Sequence, residues 1–211
     1  MKPPPLLCTI ALMIALIGAT GCSSILAPRP DPTHFFILSA NNAAPSGATQ
    51  PPTGALTIGL GPIGFPDYLA RAEIVSRTAD NRIDLAANDR WAEPLDENLA
   101  HVLAQNLSVL LGSDGVISYP WPIAKGPEYR VTVEVLQFEC NSALEAQLSA
   151  RWWVIDRNDT GAAEVKESHL TRAATDRSTG ASVAALSETV ADLSRQIAQA
   201  VIALASQRER Y

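Results

Sequence analysis

Two stretches of this chain repeat apolar residues at helical spacing. Leu95, Leu99, Val102, Leu103, Leu110 and Leu111 fall on one helix face, with Pro94 suited to the first helical position and Gly112 to the stop. Val183, Leu186, Val190, Leu193, Ile197, Val201 and Leu204 recur at steps of three and four, which predicts a long amphipathic helix ending near Ser206. Between them the period drops to two. Tyr129, Val131, Val133 and Val135 share one strand face, then Leu136, Phe138 and Cys140 carry the apolar phase on the other parity. A change of phase inside a strand predicts a bulge near Val135 and Leu136. Leu144, Ala146, Leu148, Ala150, Trp152 and Val154 alternate with Glu145, Gln147, Ser149 and Arg151, giving a strand with one dry and one wet face. A hairpin turn over 157–161 leads to a more charged strand over 163–172, expected at a sheet edge. Shorter strands are expected at 34–38, 56–60, 74–78 and 82–86, with the glycines and prolines of 59–66 breaking the chain into a loop after Leu60. The order of elements predicts an α+β fold: an antiparallel-rich mixed sheet with two amphipathic helices packed on one face.

The N-terminus follows a different pattern. Met1 and Lys2 precede the apolar run Leu6–Ile17, and Ala19-Thr20-Gly21-Cys22 follows it. Charged start, apolar middle and small residues before a cut make a secretory signal. The ending in Gly21-Cys22 resembles a bacterial lipobox. That resemblance implies removal of residues 1–21 and acylation of Cys22. An ordinary secretory signal with an incidental cysteine is one alternative. A membrane span is the other, and it needs about 20 apolar residues where this run has 12. Ser23 stands where an inner-membrane retention signal would place Asp, so the sorting rule implies the periplasmic face of the outer membrane. Residues 22–33, rich in proline, read as lipidated cysteine plus tether, with a reach of roughly 36 Å at about 3.3 Å per residue. Residues 34–206 then form the domain and 207–211 a polar tail. A loop rich in Pro, Ala, Asn and Ser is expected over 40–53.

Charge and cysteine content narrow the function. The chain carries 16 basic and 22 acidic residues; loss of residues 1–21 removes only Lys2, leaving 15 against 22 and a formal charge of −7. An acidic chain is a poor partner for nucleic acid. With Cys8 gone and Cys22 acylated, Cys140 stands alone, which excludes an internal disulfide. His34, His101 and His169 are scattered without ligand spacing, so no metal is expected. No nucleophile elbow or phosphate-binding loop is present. Gly59, Gly61 and Gly64 fit a dinucleotide pattern literally, but Pro62 and Pro66 interrupt it and no helix opens there. The expectation is therefore no catalytic residue, no cofactor and no enzyme activity.

Four segments in order carry a resemblance: PDYLAR at 66–71, IVSRT at 74–78, RWAEPLDENL at 90–99 and LAQNLSVLLG at 103–112. Together with the lipobox they resemble the PqiC-type ABC-transport auxiliary lipoprotein family, over about residues 34–204. The resemblance implies a non-catalytic outer-membrane lipoprotein serving a trans-envelope lipid transporter. Its implied partners are an MCE-type periplasmic protein and inner-membrane transporter components. It also implies that Pro66, Asp67, Tyr68, Arg71, Arg77, Arg90 and Trp91 share a loop surface, either as docking contacts or as structural corners. Strict alternation adds Trp153, which falls on the wet face as a contact anchor or lies under cover. Self-association into a ring would suit a docking collar, though the sequence does not show it. The alternative function is a stand-alone periplasmic lipid- or peptidoglycan-binding lipoprotein.

Overall fold

Strand β6 (Tyr129–Asn141) organises the sheet, because three other strands pair directly with its two edges. A computed structural model of the chain describes residues 31–41, 56–121, 126–158 and 165–208. The signal segment, Cys22, most of the tether and of the 40–53 loop, and part of the turn at 157–161 lie outside these residues. Along one edge of β6 runs β7 (Glu145–Asp156), antiparallel, and beyond it β8 (Lys166–Ala173), also antiparallel and at the sheet edge as expected. The opposite edge serves two strands in succession. β2 (Ile58–Gly64) pairs parallel with its first half, and β3 (Glu73–Ala79) pairs parallel with Cys140 and Asn141 at its end. β5 (Val116–Ser118) adds to β2, β4 (Arg82–Trp91) to β3, and β1 (His34–Phe36) to β4.

The sheet is mixed: four pairings are parallel and three antiparallel, the two longest ladders being antiparallel. The register of β6 on β7 shifts between Val135 and Gln137, which places the bulge where the change of phase predicts it. Two helices, α1 (Leu95–Leu111) and α2 (Thr179–Arg208), pack on one face. There Ile58, Val131, Leu148, Leu99, Leu103, Leu193 and Ile197 lose all or nearly all solvent contact. Gly112 closes α1 in the left-handed region at φ 55°, where a Cβ would be strained.

Three boundaries depart from the sequence pattern. Pro94 has φ −51° and ψ 130°, so it precedes α1 rather than forming its first residue, and its carbonyl accepts the Asn98 N–H at 2.9 Å. β2 continues past Leu60 to Gly64; a register shift between Leu60 and Ile63 absorbs the Gly61-Pro62 break. β5 carries no alternation long enough to announce it. Beside β5, a Cβ on Gly59 would lie 2.5 Å from both Trp121 Cε2 and Pro127 Cγ. The glycine lets an aromatic ring lie flat on the strand, a packing role that the dinucleotide pattern does not suggest.

Candidate docking cleft

The loop joining β2 to β3 must pass across the sheet face opposite the helices. Its turn is closed by backbone bonds: Leu69 N–H to Pro66 O at 2.9 Å, Ala70 N–H to Asp67 O at 3.2 Å and Arg71 N–H to Leu69 O at 2.8 Å. Pro66 and Asp67 thus act through their carbonyls, and the Asp67 side chain is exposed. Leu69 is driven under the loop, 2% exposed.

Tyr68 reaches the sheet beneath. Its hydroxyl donates to Glu139 Oε2 at 2.8 Å, and Arg77 Nε donates to Glu139 Oε1 at 2.6 Å. Gln137 Nε2 donates at 3.1 Å and the Phe138 N–H at 3.1 Å. The Glu139 side chain has 0% exposure, so its charge is compensated entirely by these groups. Burial, then the hydrogen bond and negative charge of Glu139, push the Tyr68 phenol up to about 12 despite the nearby Arg77. The bond to Glu139 likewise raises the Arg77 guanidinium above its ordinary value. Glu139 was missed by sequence reasoning: alternation assigns it to the wet face, and only the overlying loop makes that face dry. A carboxylate between Phe138 and Cys140 in an otherwise apolar run was the available signal.

The third resemblance segment, RWAEPLDENL, meets the same loop. The Trp91 N–H donates to Ala72 O at 2.7 Å, and the Ala92 N–H to Phe36 O at 2.8 Å. Between loop and segment lies a cleft of about 440 Å³ lined by Ala70, Arg71, Ala72, Trp91, Ala92, Glu93, Pro94, Leu95 and Asp96. Its floor is apolar and its rim carries Arg71, Glu93 and Asp96. Arg71 Nε is buried against it with no hydrogen-bond partner among the described residues. Asn98 fixes the rim from behind: its Nδ2 donates to Glu93 Oε1 at 2.5 Å while its Oδ1 accepts the Leu38 N–H at 2.8 Å.

The structure therefore divides the candidate residues. Arg71 and Trp91 line the cleft, with Pro66, Asp67 and Tyr68 shaping the loop above it. Arg77 belongs to the sealed Glu139 cluster. Arg90 stitches the end of β4, donating to Ala86 O at 2.8 Å, Asp89 O at 3.2 Å and Ala87 O at 3.1 Å, with Glu73 3.8 Å away. Trp91 is 6% exposed and forms floor rather than rim. Trp153 is half-buried on β7 opposite Thr132, on the wet face, and lines no part of the cleft. Among the described residues no three His, Cys, Asp or Glu side chains are placed to hold a metal, and no helix is long and apolar enough to cross a membrane.

The fold is a two-layer α+β domain with a cleft between the β2–β3 loop and the segment leading into α1. The chain belongs to the family of ABC-type transport auxiliary lipoprotein components, which it matches over residues 36–198. Among its relatives is the intermembrane transport lipoprotein PqiC of Escherichia coli (strain K12), 29% identical over 139 residues that cover 66% of this chain and 70% of the relative. A solved structure of an uncharacterized protein matches with TM-score 0.65 at 23% identity, covering 80% of this chain and 98% of its own. A protein from Xanthomonas campestris matches with TM-score 0.69 at 11% identity, covering 84% and 100%. These two likenesses concern the fold. The PqiC-type family that the motifs suggest is the family found, and the chain is a lipoprotein of a transport-associated system.

Proposed function

We propose that this chain is a non-catalytic lipoprotein that docks a trans-envelope lipid transporter of the MCE/ABC type at the periplasmic face of the outer membrane. Residues 1–21 are the removed signal, acylated Cys22 and its tether are the anchor, and residues 34–206 form the docking domain. One observation carries this reading: the PDYLAR loop and the RWAEPL segment, separated in sequence, converge on one cleft with an apolar floor and a charged rim. The anchor confines that cleft to a membrane surface and so raises its effective concentration for a partner.

A photo-crosslinking residue at Ala92, exposed on the cleft rim, tests the proposal in intact envelopes. The expected adduct is an MCE-type protein, and Arg71→Glu should reduce its yield about tenfold, the loss of one charged contact at an interface. Adducts of unchanged yield in Arg71→Glu, or no MCE-type adduct at all, would overturn it.

A further inference from the structure

β1 is the first strand among the described residues, and it faces two ways. Leu38, just beyond it, is buried at 4% exposure, and Phe36 packs toward the core. Phe35 and Ile37 take the other side, where they are 68% and 53% exposed. Residues two apart in extended chain share a side, so these two apolar groups stand together. They lie at a sheet edge, since among the described residues β1 pairs only with β4. Arg90, opposite Phe35 in the register, is committed to the carbonyls of β4 and to Glu73.

Chain connectivity indicates what meets this pair. Phe35 lies 13 residues after Cys22, so even at full extension, about 3.3 Å per residue, it stays within about 43 Å of the anchor. Whatever path the tether takes, lipids on Cys22 hold β1 closer to the bilayer along the chain than any later element. We propose that Phe35 and Ile37 insert into the lipid surface beside the anchor. The domain then rests on the membrane along its β1 edge instead of standing off at the tether's full reach. The contact is apolar in character, because a processed chain of formal charge −7 gains nothing from anionic headgroups. Two side chains would bind a bilayer only weakly by themselves, but the anchor makes the encounter intramolecular. The inference rests on acylation of Cys22.

The test uses the full lipidated chain, with Cys140→Ala, in vesicles of phosphatidylethanolamine and phosphatidylglycerol. An environment-sensitive fluorophore is placed at Ile37→Cys or, as a reference, at Val165→Cys, which is 60% exposed beside β8 at the far sheet edge. The expected result is blue-shifted emission at position 37 and at least about twofold quenching by doxyl-labelled lipid, with position 165 unchanged. Equal, water-like emission at both positions in a chain that floats with the vesicles overturns the inference and leaves the anchor standing. Emission at 37 that shifts with protein density and ignores doxyl lipid also overturns it, since a second copy is then the occupant. A chain that does not float overturns the anchor and the inference together.

Discussion

Glu139 is a carboxylate sealed from water at the point where the β2–β3 loop crosses the sheet. Removing one partner of such a pair leaves charge uncompensated, which costs about 3–5 kcal/mol. Arg77→Met should fall at or below the low end of that range, because Tyr68, Gln137 and the Phe138 N–H still donate to Glu139; the urea midpoint will show it. Tyr68→Phe removes a single hydrogen bond and should cost about 1 kcal/mol at neutral pH. Its sharper signature is alkaline. The folded chain holds the Tyr68 phenol protonated up to about 12, against an ordinary value of 10.0. That contribution is complete below pH 10.0 and is lost as pH rises through about 12. Denaturant midpoints should therefore fall more steeply with pH in the parent than in Tyr68→Phe across this window. Parallel slopes would mean that the phenol does not hold the loop.

At the scale of elements, α1 and α2 meet through a polar contact that their apolar faces do not require. Asn106 Nδ2 donates to Ser194 Oγ at 3.2 Å, but Asn106 Oδ1 is buried with no partner among the described residues. The Ser194 hydroxyl already donates to Val190 O at 2.7 Å. Asn106→Leu therefore removes an orphan acceptor without creating an orphan donor. It should stabilise by about 0.5–1.5 kcal/mol, read as a rise of a few degrees in calorimetric Tm. Both helices were legible in the sequence because their repeats are local and end at a clear signal such as Gly112. The bulge in β6 was legible for the same reason: Val135 and Leu136 change the parity within one strand. The parallel neighbours of β6 were not, since pairing between residues 58 and 129 leaves no periodicity in either segment. Nor was the dryness around Glu139, which depends on a loop folded over from 71 residues away. For the cleft, the resemblance named stretches that the fold brings next to one another. Only the fold separates Arg71, which faces the cleft, from Arg90, which ties down its own strand.

For the whole molecule, the anchor and the fold are separable. The core is assembled from residues after Pro32, so Cys22→Ala should abolish membrane association while leaving the circular dichroism spectrum and Tm unchanged; flotation with envelope vesicles checks it. The order of attachments at the start of the domain matters once a partner is docked. A transporter held at the cleft and a bilayer holding Cys22 would pull on the chain in tension. That load enters through β1, whose ladder on β4 involves three residues. It next meets the buried Leu38–Asn98 bond and the Ser39 N–H on Ser187 Oγ at 3.1 Å. Beyond these stand β6 and β7, joined by eleven residue pairs with the helices at their back. Under such a load β1, with the shorter ladder, is expected to detach before β6 and β7. Release of β1 would lengthen the connection between anchor and domain while β6 and β7 stay joined.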